Sequence, residues 1–127
     1  MARYADVWNV PTYALGEIEQ KIAALRAICE DVGRDPDSIV LSIEAVMALA
    51  PDDNALPKVR GLAEKRFGIA GFGLHEAGLI GTAPAVVDRL GELVEMGFGQ
   101  IVLFTHDRCS DETLGGLLAS EVIPPHL

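Results

Sequence analysis

The sequence has little positive charge, few cysteines and no long hydrophobic run. Its 127 residues include 10 Lys and Arg against 19 Asp and Glu, for a formal net charge of −9. This balance argues against nucleic acid and anionic membrane surfaces as partners, because both require clustered positive charge. No apolar run reaches the roughly 18 residues of a transmembrane helix, so we expect no membrane partner.

Cysteine is scarcer than basic residues. Cys29 and Cys109 are the only two, which is too few and too widely spaced for a disulfide framework or a zinc motif. No second His or Cys lies at ligand spacing from His106, so we predict no metal site. The N-terminus lacks the apolar core of a signal peptide. A reduced, cytoplasmic setting is therefore expected.

The order of predicted elements alternates between strands and helices. Half of the residues are hydrophobic, and the two longest apolar strands are rich in branched side chains, as in buried parallel strands. Alternation of this kind predicts parallel strands joined by right-handed helical crossovers. We predict strands within residues 2–10, 39–50 and 100–105, helices over 13–32, 54–67 and 82–97 and from 110 to 124, and a mobile glycine-rich loop over 68–81. Asn54 is expected to cap the helix over 54–67, with Leu62 on its core side.

These elements form about three βα units, which we assign to a single domain over residues 1–127. A (β/α) barrel needs eight units and typically about 250 residues, so the sequence predicts the α/β class and a partial TIM-type barrel. Its helices would cover only the outer face of the sheet, leaving an apolar inner face and two open edges. We therefore expect a homodimer that buries more than about 2,000 Å², or a complementary half-barrel chain as the partner. The inner face is predicted to contain Ile39, Leu41, Ile43, Val46, Ile101 and Leu103.

Four segments at consistent spacing resemble one known family. They read ARYADVWN, GRDPDSI, GTAPAVVDRLGELVEMGFGQIVLF and ETLGGLLASEVIP, and together they are similar to the C-terminal part of luciferase-like monooxygenases. The resemblance covers essentially the whole chain. One departure is Val7, where the family usually has Gly.

The resemblance implies a TIM barrel that uses FMN or a deazaflavin. In intact relatives the reduced cofactor passes a hydride or activates oxygen, while the protein positions and desolvates the ring and a small-molecule substrate. The family's phosphate-binding stretch lies upstream of the segments matched here. The isolated chain is therefore expected to bind flavin weakly or not at all.

Active sites of TIM barrels form at the carboxyl ends of the strands. His106 follows the strand at 100–105, and its imidazole titrates near neutral pH, so it is the first catalytic candidate; the alternative is a solvent-facing loop histidine. Glu44 is the second, because a carboxylate inside an apolar strand needs a partner. It could also be a structural carboxylate paired with an Arg or Ser within the sheet, or one that is exposed because the half barrel is open.

Three residues near the end of the first strand are candidates for cofactor binding. Trp8 could flank an isoalloxazine ring or a substrate, although a Trp at such a position can also pack in the core. Asn9 follows it directly, and Thr12 lies where related enzymes place substrate-contacting residues.

Two functions remain open. The first is a luciferase-like flavin- or deazaflavin-dependent oxidoreductase module that needs a partner for catalysis. The alternative is a non-catalytic, oligomeric interaction or small-molecule-binding module. Flavin absorbance in the purified protein would favour the first.

Overall fold

A computed structural model describes residues 1–68, 78–105 and 112–124. Four strands and four α-helices alternate along these residues, with short 3₁₀ turns at Thr12–Glu17 and Pro36–Ser38 and a π-helical turn at Leu118–Val122. The strands and helices are β1 Val7–Pro11, α1 Ile18–Asp31, β2 Val40–Leu49, α2 Leu56–Phe67, β3 Leu79–Gly81, α3 Ala83–Glu95, β4 Gln100–Thr105 and α4 Glu112–Leu117.

The sheet is parallel throughout, and β2 is its central strand. β1 and β4 pair with β2 at overlapping positions, since Glu44 opposes both Pro11 and Val102. A strand has only two edges, so β1 and β4 flank β2 on opposite sides. The short β3 pairs with the carboxyl end of β2, on the β1 side. This confirms the predicted parallel pairing, and the α/β class with it.

One face of the sheet is packed against helices, and we call it the covered face. Alternate residues of β2, including Ile43, Ala45 and Met47, are buried there against α1, α3 and the π-helical turn Leu118–Val122, which we call the C-terminal turn. From α3 the contacts come from Val86, Leu90 and Leu93, spaced at the helical period. Burial of this apolar surface is the main stabilising term of the fold.

The opposite face is covered only at its carboxyl end. There Val46, Ala48 and Ala50 pack against Val59 and Ala63 of α2. Further down the strands no helix of the described residues packs on this side. We call this lower part the open face; its residues are Val7 and Asn9 of β1, Val40, Ser42 and Glu44 of β2, and Gln100, Val102 and Phe104 of β4.

The predicted composition of the uncovered face was wrong. Ile43 is buried, and Leu41, Ile101 and Leu103 pack around the core of the covered face, while Ile39 is buried beside Leu25 and Cys29. Val46 lies on the other face, where α2 covers it. Side chains alternate between the two faces along a strand. Because both the odd- and the even-numbered residues of β2 are mostly apolar, the sequence does not show which set faces the helices.

Three local features also differ from the sequence-based expectations. Asn54 does not cap α2; the side chain of Asp52 accepts a hydrogen bond from the Ala55 N–H at 2.9 Å. Leu62 was expected on the core side of α2 but is 46% exposed. Part of the predicted loop over 68–81 forms β3. The predicted mobility of this segment falls mostly on residues 69–77, outside the described residues.

Candidate functional site on the open face

A chain of hydrogen bonds joins three polar side chains on the open face. The Ser42 hydroxyl donates to Asn9 Oδ1 at 2.9 Å, and Asn9 Nδ2 donates to Glu44 Oε1 at 2.6 Å. Parallel register places Asn9 directly beside Ser42, and Glu44 is two residues further along the same strand, on the same face. The sheet itself therefore brings the three groups together.

The surroundings of this chain are mostly apolar. Within the sheet, Glu44 lies between Pro11 of β1 and Val102 of β4, and along β2 the next residue on its face is the buried Val46. Phe104 stands beside Val46 and is 37% exposed, as is Val102. On the open face a carboxylate and an amide thus lie next to apolar side chains, and we call Val102 and Phe104 the apolar floor.

The direction of the hydrogen bonds fixes what this arrangement can do. The Asn9 amide must turn its NH₂ group to the carboxylate, because the amide oxygen would be repelled by it, and its oxygen then accepts from Ser42. Glu44 makes one hydrogen bond within the described residues, which leaves acceptor capacity for a further donor. The site can accept a proton or an N–H or O–H group from a molecule on the face.

Only part of the predicted site is assembled on this face. Glu44 and Asn9 are in contact, and the predicted partner of the carboxylate proves to be an amide rather than an Arg or a Ser. Trp8 points to the covered face, where it packs near Ala2 and Leu25. Core packing, the alternative interpretation of Trp8, is what the structure shows, and its assignment to a cofactor stays a prediction.

Thr12 and His106 lie outside the hydrogen-bonded chain. Thr12 follows β1 at the carboxyl edge of the sheet and is buried, with 1% exposure. Its contact with a cofactor also remains a prediction. His106 lies outside the described residues, and its catalytic role is untested. It follows directly after β4, which ends at Thr105 at that same edge.

Ser42 is the site residue that the sequence analysis missed. It is buried, with 1% exposure, and it holds the orientation of Asn9. A signal was present: Ser42 and Glu44 are polar residues two apart in an otherwise apolar strand, a spacing that places them on one face.

Two further kinds of site find no support in the described residues. Over residues 1–68, 78–105 and 112–124, no three His, Cys, Asp or Glu side chains are grouped so that they could hold a metal ion. In the same ranges, no helix has both the length and the apolar character needed to cross a membrane.

The parallel register and the packing of α1 and α3 on one face of the sheet are those of a portion of a (β/α) barrel. Solved structures with the same arrangement are known. One is the coenzyme F420-dependent tetrahydromethanopterin reductase from Methanopyrus kandleri, with a TM-score of 0.62 and 17% identity over 98% of this chain and 46% of that one.

A second is riboflavin lyase, solved with modified FMN and its substrate riboflavin. It aligns with a TM-score of 0.64 and 17% identity, over 98% of this chain and 39% of its own. Both share the partial barrel fold that the resemblance in the sequence implied. At this identity the likeness establishes the fold, a partial TIM-type barrel.

The chain spans less than half of the length of these two structures. No family model matches the sequence, and no curated protein matches it either.

Proposed function

We propose that this chain is the C-terminal module of a luciferase-like oxidoreductase that uses FMN or a deazaflavin. Its contribution is the open face, which forms one wall of a cofactor and substrate cavity. The observation that carries the proposal is the Ser42–Asn9–Glu44 chain on a face that an intact barrel encloses. In this assignment Glu44 is the proton acceptor and Asn9 a cofactor contact.

The names and the fold of the two solved structures support a flavin or a deazaflavin as the cofactor. One neighbour depends on coenzyme F420, and the other was solved with modified FMN. When bound, such a cofactor supplies hydride transfer or oxygen activation. The side chains of this module would orient the ring, exclude water from the apolar floor and hold a proton on the Glu44 carboxylate. His106 and Thr12, which follow β4 and β1 in the sequence, stay the other predicted catalytic and cofactor-binding residues.

The module requires a second portion of barrel, and we propose that a second copy of the chain supplies it. Within the described residues, β1 and β4 each pair with β2 alone, and unpaired strand edges favour association. A twofold axis parallel to the strands would set β4 of one copy beside β1 of the other without reversing their direction. A complementary half-barrel chain would serve the same purpose. The setting that we propose is the cytoplasm, with residues 1–127 as one domain.

The second candidate function is a non-catalytic interaction or small-molecule-binding module. The observation that favours it is the exposed apolar side chains at the two ends of the open face. Val7 and Val40 lie at one end, 46% and 43% exposed, and Val102 and Phe104 lie at the other, each 37% exposed. Exposed apolar surface marks interfaces and ligand grooves. In this case the chain would bind flavins no better than other aromatic molecules.

The experiment that tests the proposed function is a titration of the purified chain with FMN and with F420, followed by cofactor fluorescence. We expect weak, saturable binding of one of them, with a dissociation constant above about 100 µM. Glu44→Gln and Asn9→Ala should weaken it. Lys58→Ala, on the exposed side of α2, is the matched control and should leave it unchanged.

Two results would contradict the proposal in different ways. Quenching that does not saturate, or that is indifferent to Glu44 and Asn9, would remove the cofactor from this face and favour the second function. A stoichiometric flavin that survives gel filtration at the mass of one chain would instead show that the module needs no second portion of barrel.

A further inference from the structure

We infer that the open face binds a planar ligand through N–H donors on Glu44, and that Ser42 is the residue that positions this acceptor. The ligand class is a flat, apolar ring with an amidine, guanidine or amino-heterocycle edge. The inference rests on the proposed use of the open face as a ligand surface, but not on flavin as its occupant.

The chemistry of the ligand edge follows from the unused acceptor. Asn9 satisfies Glu44 Oε1, and no second hydrogen bond to this carboxylate is made by the described residues. Covering the carboxylate with an apolar surface would desolvate it, which is strongly unfavourable unless a donor replaces the lost water. A molecule that covers Glu44 is therefore expected to bring a hydrogen-bond donor to it, and among donors the charge-assisted N–H bonds to carboxylates are the strong ones.

The shape of the ligand follows from the floor around the carboxylate. Val102 is the immediate neighbour of Glu44 across the β2–β4 ladder, and Phe104 lies one step further along β4. Both are partly exposed on the same face. A flat ring laid over these two side chains places a polar edge toward Glu44. Because α2 covers the sheet beyond Val46, the floor ends there, and we take the ligand to be no larger than a ring.

Ser42 acts through Asn9 rather than on the ligand. Its hydroxyl is buried and donates to Asn9 Oδ1 at 2.9 Å, which fixes the amide with its NH₂ group toward Glu44. All hydrogen bonds in the chain then run in one direction, from Ser42 through Asn9 to Glu44, an arrangement in which each bond polarises the next. Without the Ser42 hydroxyl the amide can rotate, and the carboxylate loses its fixed position.

The test uses three benzene derivatives that share the ring and differ in the polar group. Benzamidine carries cationic N–H donors, benzamide carries neutral ones, and methyl benzoate carries none. Each is titrated into the ¹⁵N-labelled protein and followed by two-dimensional NMR. We expect benzamidine to shift the Asn9 side-chain amide and the backbone amides of Glu44 and Val102, benzamide to do so more weakly, and methyl benzoate not to do so.

Variants then separate the roles of the two residues. Glu44→Gln should weaken benzamidine binding about tenfold, because a charge-assisted bond is lost. Glu30→Gln removes an equal charge from the exposed side of α1 and should leave binding unchanged. Ser42→Ala should weaken binding and speed the hydrogen exchange of the Asn9 amide, and Ser42→Thr, which keeps the hydroxyl, should restore both.

Several outcomes would overturn the inference. Equal shifts with methyl benzoate would show apolar binding alone, and equal losses in the Glu44 and Glu30 variants would show attraction to the net charge alone. Normal Asn9 exchange and normal binding in a folded Ser42→Ala protein would remove the positioning role. If that variant does not fold, the Glu44 and Ser42→Thr measurements still decide the question. None of the probes is a flavin, so failure here would leave the cofactor titration unaffected.

Discussion

The two faces of the parallel sheet differ in what completes them. The covered face is finished by the chain itself: α1, α3 and the C-terminal turn bury Ile43, Ala45 and Met47. The open face carries apolar residues at comparable positions of the same strands, yet no described helix covers them, and a polar chain lies at their centre. One face is thus built for stability, and the other is left available for a ligand or a second chain.

The largest expected effect separates the two faces by stability. Ile43→Ala removes a fully buried side chain from the covered face and should lower the free energy of unfolding by about 3 kcal/mol through lost burial and the remaining cavity. Val40→Ala, on the same strand but on the open face and 43% exposed, should cost less than about 1 kcal/mol. Urea denaturation of both variants measures the difference. Equal losses would mean that the open face is also part of the core.

The next effect concerns association rather than stability. Phe104→Glu places a charge on the apolar part of the open face and should abolish self-association. Ile28→Glu is the matched control, because Ile28 is also an exposed apolar residue, 52% exposed, but lies on α1. Sedimentation of the two variants gives the comparison. An effect of the α1 variant alone would place the interface on the helices.

A smaller effect tests the coupling between Asn9 and Ser42. Asn9→Ala leaves the buried Ser42 hydroxyl without its acceptor and should cost about 1–2 kcal/mol. In the double variant with Ser42→Ala neither group needs a partner, so part of this loss should be recovered. The double-mutant cycle should yield a coupling energy of about 1 kcal/mol. Strict additivity would show that the hydrogen bond contributes nothing to the fold.

The smallest effect is expected at a surface ion pair away from the open face. Arg26 Nη2 and Asp37 Oδ1 are 2.8 Å apart, with side chains 53% and 72% exposed. Solvent screening reduces such pairs to less than about 0.5 kcal/mol. Asp37→Asn should therefore change the urea midpoint very little, and a loss as large as that of Asn9→Ala would remove the distinction between the polar chain and ordinary surface charge.

The sequence predicts the architecture better than it predicts the site. Apolar runs bounded by turns locate β2 and β4, and Gly97, with φ of +96°, ends α3 as expected. The short β3 is not predictable in this way, because its three residues follow a glycine-rich stretch and gain their pairing from the edge of β2. Gly81 at its end reflects close packing, since a Cβ there would lie 2.9 Å from that of Ala85.

The site depends on which alternate residues of each strand lie on the open face, and the mostly apolar sequence of β2 does not show this. In residues 39–50 both parities are apolar, so the choice of the helix-facing set depends on α1 and α3. Glu44 could be predicted as a buried-strand carboxylate and Asn9 as a strand-end residue. Their contact requires the register of β1 against β2, which only the folded chain supplies. Because consecutive side chains of a strand point to opposite faces, Trp8 lies in the core and not beside Asn9.

The mass of the protein in solution tests most directly whether the open face needs a second copy. One chain has a mass of 13.5 kDa. Light scattering at micromolar concentration should give twice this value for the wild-type protein. The mass of one chain under these conditions would contradict the account, because the open face would then be stable in water without a second copy.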